Sequence, residues 1–169
     1  MRIFAPLPLL VAVATLAAAC TSTSRSGATT NAAPMGDVIA PDSGEAHISN
    51  IRQLTNGGEN AEAYFSADGQ WITFQSTRDG RTCDQQYVMR RDGSGLTKVS
   101  VGGKTTCGWF LPGSQRLFFA STHAADSACP VKPDPSQGYV WGIDPFDIYT
   151  VGRDGKDIKR LTNYGVYTA

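Results

Sequence analysis

The sequence predicts an all-β protein assembled from repeated four-stranded sheets, and three observations carry that prediction. FSADGQWITFQS, starting at Phe65, returns as FLPGSQRLFFAS at Phe110, 45 residues later. QYVMRRDGSG returns as IYTVGRDGKD, which aligns Tyr87 with Tyr149 at an offset of 62. QLTNG, VSVGG and RLTNY align Leu54, Val99 and Leu161, at offsets of 45 and then 62. The two spacings agree if the second unit carries 17 extra residues, because Phe119 to Tyr149 spans 30 positions where Phe74 to Tyr87 spans 13. A fixed period of this length marks an architecture in which each repeat is one supersecondary unit, and a period near 45 built of four strands is a propeller blade.

Taken in chain order, the first element is MRIFAPLPLLVAVATLAAAC, one basic residue followed by an uncharged apolar run and small residues. It reads as a secretory signal over residues 1–19, too short and too rich in Ala and Pro for a spanning helix. LAAAC resembles a lipobox, which makes Cys20 the expected site of lipidation; Ala17 stands where Leu is commoner, with Leu16 one place early. Acyl chains on Cys20 would hold the protein at a membrane surface, since each buried methylene contributes about 0.8 kcal/mol. Thr21 after the cysteine, by similarity to bacterial lipoproteins, implies the periplasmic face of the outer membrane. Residues 20–46 are rich in Ser, Thr, Ala, Gly and Pro and have few bulky apolar side chains, so they are expected to form a flexible linker.

HISNIRQLT then reads as a single strand suited to completing a blade at the far end of the chain. The first full unit, residues 56–100, runs AEAYFS, a turn at Ala67 to Gly69, WITFQS with apolar and polar positions alternating at strand period, QYVMR, a turn at Asp92 and Gly93, and a short strand from Leu96 to Ser100. Asp-Gly supplies the positive φ that tight hairpins need. The second unit, residues 101–162, repeats this as CGWFLP, QRLFFAS, DIYTV and IKRLT, and NYGVYTA reads as the start of a third.

The Ser-x-Asp-Gly turn, the apolar strand ending in Ser, the Tyr-Val-Met strand, the second Asp-Gly and the closing Leu-Thr pairs at Leu54 with Thr55 and Leu161 with Thr162 resemble the WD-like repeats of TolB-like β-propeller proteins. The resemblance covers roughly residues 48–169, and residues 47–169 are assigned to a partial propeller. It implies a scaffold that binds other cell-envelope proteins, and an incomplete ring that points to a piece of a larger protein, because an open propeller leaves strand edges and a blade face uncovered. The alternative is a propeller that gates a hydrolase or peptidase domain lying outside this sequence. Fold alone does not decide between them.

Side-chain chemistry adds the remaining expectations. Fifteen basic and fifteen acidic residues cancel, and no basic run suggests nucleic acid as a partner. With Cys20 assigned to lipid, Cys83, Cys107 and Cys129 remain as disulfide candidates outside the cytoplasm. The blade scheme puts all three at one face of the propeller, and Cys83 with Cys107, from neighbouring blades, is the favoured pair. Their spacing and that of His123 fit no metal motif, no cofactor is expected, and no G-x-S-x-G elbow or triad spacing supplies catalytic residues. The insertion AADSACPVKPDPSQGYVWGIDP carries four prolines and two aromatics, and Tyr139, Trp141 and His123 are the candidate partner-binding residues.

Overall fold

The computed structural model describes residues 36–138 and 142–169. Ten strands are present among them: β1 (Asp37–Ile39), β2 (Ile51–Gln53), β3 (Glu59–Phe65), β4 (Trp71–Thr77), β5 (Gln85–Arg90), β6 (Thr97–Lys98), β7 (Thr105–Phe110), β8 (Arg116–Ser121), β9 (Asp147–Gly152) and β10 (Lys159–Arg160). They make two four-stranded antiparallel sheets, β3-β4-β5-β6 and β7-β8-β9-β10, each a meander in chain order, and a two-stranded sheet of β1 and β2. The four-stranded sheets are the two blades expected from the repeat, and the ring they begin is not closed.

Turn chemistry places the hairpins where the sequence put them. Asp68 accepts from the Gln70 amide and the Ser66 hydroxyl while Gly69 adopts φ 65°, and Asp92 does the same for Ser94 beside Gly93 at φ 83°. Glycine takes these left-handed positions without the clash a Cβ would bring.

The repeat also extends to packing. Ile72, Phe74, Tyr87 and Met89 share one face of the first blade, and their counterparts at offsets of 45 and 62, Leu117, Phe119, Tyr149 and Val151, share the same face of the second. In the second blade that face is sealed by Val88 and Val99 of the first, with Trp71 packed against the seam. Arg90 and Arg153 bracket the Trp71 ring at 4.6 and 4.3 Å, contacts that contribute about 0.5–2 kcal/mol each. In the first blade the matching face is covered by Leu54, the counterpart of Val99. β2 therefore stands in the place of an outermost blade strand while belonging to neither blade.

Three features lay outside the sequence reading. Asp37–Ile39, inside the stretch expected to be linker, pairs with β2 in the register Asp37↔Gln53, Val38↔Arg52 and Ile39↔Ile51. NYGVYTA forms no strand; its Tyr167 ring meets Phe146 edge-on at 5.6 Å. Both first strands are interrupted at equivalent places, with register shifts between Ala61 and Tyr64 and between Thr106 and Trp109, and the bulge residues Glu62 and Cys107 have φ of 52° and 54°. These β-bulges are 45 residues apart, so the repeat reproduces a local kink as well as the strands. Next to the second, Gly108 lies against the buried Gln86 amide so closely that an added Cβ would fall 2.1 Å from Nε2.

Candidate binding face

The 17 extra residues of the second unit lie between β8 and β9, at the same end of the sheets as the β4–β5 connection of the first blade. Cys83, in that connection, is bonded to Cys129 in the insertion, with Cα atoms 5.5 Å apart. Among the described residues Cys107 is the free thiol, and it is exposed. This corrects the expected Cys83–Cys107 pair: the bulge in β7 turns Cys107 out of the seam, while the insertion carries Cys129 across to the neighbouring blade. Two further ties fix the start of the insertion, because the Gly103 amide and the Arg81 guanidinium both donate to the Ser127 carbonyl, at 2.8 and 3.3 Å. Its far end is held by Lys104, whose Nζ lies 3.1 Å from the Asp144 carboxylate and 5.7 Å from the Phe146 ring centroid. Between these anchors Asp134 caps a short 3-10 turn over Pro135–Gln137.

Pinned this way, the insertion roofs a groove of about 470 Å³ whose floor includes Gln75, Asp84, Lys104, Thr105 and Phe146 and whose wall includes Lys132 and Pro133. A smaller hollow, bounded by Glu59, Val131 and Asp144, adjoins it. Concave sites of this size are where proteins take ligands and partner side chains, and this one combines charged and amide groups with the apolar faces of Phe146 and Pro133.

Asp84 joins the groove to both blades. Its backbone carbonyl receives the amide and hydroxyl of Thr105, which ties the first blade to β7, and its carboxylate accepts from Gln75 Nε2 at 2.9 Å. Burial raises its carboxyl above the ordinary value and Glu59 pushes the same way, against the opposing pull of Lys104 and Lys132. A raised value means that the folded protein holds this proton more tightly than the unfolded chain. That contribution is full below the ordinary carboxylate range and is lost as pH rises through the folded value. Asp84→Asn, which keeps an acceptor for Gln75, is therefore expected to raise the thermal midpoint by about 2 °C at pH 7 and to leave it unchanged at pH 3. A variant that melts lower than the parent at pH 7 would show that the charge is needed.

Of the residues singled out from sequence, Cys20, Tyr139 and Trp141 lie outside the described residues. His123 does not line the groove. Its ring packs 4.0 Å from the Tyr149 centroid and Nδ1 lies 3.1 Å from Ser121 Oγ, and burial holds its pKa below the ordinary histidine value. The repeat explains its place: His123 occupies the position of Arg78, which lies over the Phe74 and Tyr87 rings in the first blade. Ala124 likewise stands where Asp79 accepts the Tyr87 hydroxyl, and Tyr149 Oη is buried without a hydrogen-bond partner among the described residues.

The groove residues Gln75, Asp84, Lys104 and Phe146 escaped the sequence reading. Asp84 sits beside Cys83, and that adjacency was the one available signal. The Lys104–Asp144 pair, separated by 40 positions, left none.

No protein-family model matches the chain. Among curated proteins it is similar to the Tol-Pal system protein TolB of Geobacter sulfurreducens, 51% identical over 47 residues, which is 28% of this chain and 10% of that protein. Among solved structures it is similar to a TolB-type protein of Agrobacterium tumefaciens at 24% identity and a TM-score of 0.47, over 64% of this chain and 35% of that one. The chain thus spans well under half the length of either. The curated match is close to one repeat long, and over that stretch the chain is TolB-like in sequence.

Proposed function

We propose that this TolB-like chain is a membrane-anchored lipoprotein of the cell envelope whose blades form a protein-binding scaffold, with the insertion-roofed groove as its docking face. The observation that carries this reading is the Cys83–Cys129 bond, which fixes a proline-rich insertion across two blades above the groove. A loop immobilised before binding loses little entropy on capture, so its contacts count nearly in full. The bond also suits an oxidising compartment, in keeping with an exported chain.

Anchoring rests on the LAAAC segment at Cys20 and on the composition of the linker that follows. The expected partners are other envelope proteins; the curated relative is named as part of the Tol-Pal system. Balanced charge favours no nucleic acid. The hydrolase-gating alternative has no observation of its own in support.

Two measurements test the proposal on the whole chain. Labelling growing cells with a radioactive fatty acid is expected to mark the parent and not Cys20→Ala, and an unlabelled parent removes the anchor. Capture of envelope proteins from detergent extract is expected to fall about tenfold when Tyr139 and Trp141 are both replaced by Ala, while the thermal midpoint stays put. Capture equal to that of the parent would remove the docking face from the insertion.

A further inference from the structure

We infer that Asn56 is a site of spontaneous covalent modification, at which the chain deamidates through a cyclic imide with Gly57. The inference comes from comparing the joints that lead into the two blades. NGG at residues 56–58 aligns with VGG at 101–103, so the first joint carries an Asn-Gly pair and the second carries Val-Gly in its place.

In the reaction the Gly57 amide nitrogen attacks Asn56 Cγ. A new N–C bond closes a five-membered imide, the bond from Cγ to the side-chain nitrogen breaks, and ammonia leaves with the proton released by the Gly57 nitrogen. Water then opens the ring at either carbonyl, which yields aspartate or isoaspartate. Solvent is the sole co-reactant, and no oxidant or reductant is required.

Three features of the joint favour this chemistry. Asn56 and Gly57 are both exposed, no side chain stands at Gly57 to crowd the joint, and among the described residues the Gly57 amide donates to no backbone carbonyl. The Asn56 side chain is loosely held: Oδ1 accepts one 3.3 Å bond from Gln53 Nε2, and no donor bond from the side-chain amide is present among the described residues. Finally, Arg78 Nη2 lies 3.3 Å from the Gly57 carbonyl, one peptide group beyond the reacting amide, which puts a cation near the negative charge that forms on the Gly57 nitrogen and the Asn56 carbonyl.

The other described asparagines lack these features. Asn60 is locked, donating to the Gly57 and Gly58 carbonyls and accepting from Ser76 and Arg78. Asn50 precedes the β-branched Ile51, and Asn163 precedes Tyr164, and bulk on the following residue blocks the attack. The joint matters to the fold because Leu54, two residues earlier, is the cover of the first blade's core. Isoaspartate would lengthen the backbone by one methylene beside it, and either product adds a negative charge next to Arg78.

The test is to incubate the purified whole chain at pH 8 and 37 °C and to follow by mass spectrometry the tryptic peptide spanning residues 53–78 together with the peptides that carry Asn50 and Asn163. The expected result is a progressive gain equal to the exchange of NH for O, located at Asn56, with a parallel rise in methyl label accepted by an isoaspartyl methyltransferase. Asn56→Gln, which must close a larger ring, is expected to show no such mass gain over the same period and less methyl label than the parent, the remainder coming from Asp-Gly pairs, whose isomerisation changes no mass. Conversion that begins at Asn50, Asn60 or Asn163, or an Asn56 that stays intact while a free QLTNGGEN peptide converts alongside it, overturns the inference.

Discussion

Replacing Cys83 and Cys129 together by Ser is expected to lower the unfolding free energy by about 4 kcal/mol, the chain-entropy value for a cross-link that closes a loop of this size. The two cysteines are 46 positions apart, and the bond joins the β4–β5 connection of one blade to the insertion of the next. Cutting it releases the unfolded chain and at the same time removes the covalent tie that supplements the Ser127 and Asp144 contacts of the insertion. Equilibrium denaturation of the double variant, with Cys107 retained, measures the loss. A drop of less than about 1 kcal/mol would mean that the unfolded chain is already compact near these cysteines, so that the bond constrains little.

Phe119→Ala is the second change with a large expected effect, a loss of about 3–5 kcal/mol. Phe119 is fully buried in the seam, stacked on Tyr149 at 6.1 Å, and its neighbours come from both blades. Phe74 is its counterpart 45 residues earlier and stacks on Tyr87 in the same way, yet its cover is Leu54 in place of a whole blade face. A thin cover can shift to fill space, so Phe74→Ala is expected to lose at least about 1 kcal/mol less than Phe119→Ala. Equal losses in parallel denaturation curves would show that β2 seals the first blade as firmly as the first blade seals the second.

Much of the fold was legible because its signals are local. Alternation in WITFQS and QRLFFAS set which side chains face inward, and the Asp-Gly pairs at Asp68, Asp92 and Asp154 set where the chain reverses. Both depend on neighbours a few positions apart, and the 45- and 62-residue offsets repeated them. The bulges at Glu62 and Cys107 were hidden because a left-handed bulge residue is usually marked by glycine, and neither position carries one. β1 was hidden because three exposed residues, Asp37–Ile39, have no alternation to read. The candidate groove was the least legible part, since Gln75, Asp84 and Lys104 have ordinary surface chemistry until the insertion folds over them.

What the amino-acid sequence determined by itself was the blade: four strands, their turns, their inward faces and the offset at which they recur. What the tertiary structure decided was the pairing of Cys83 with Cys129, the placement of Leu54 over the first core, and the groove beneath the insertion. The physical reason is range. Strand alternation and turn conformation are fixed by steric and hydrogen-bonding preferences within a few residues. A disulfide or a groove wall depends on where a long proline-stiffened insertion comes to rest against another blade, and that position follows from packing across the whole seam.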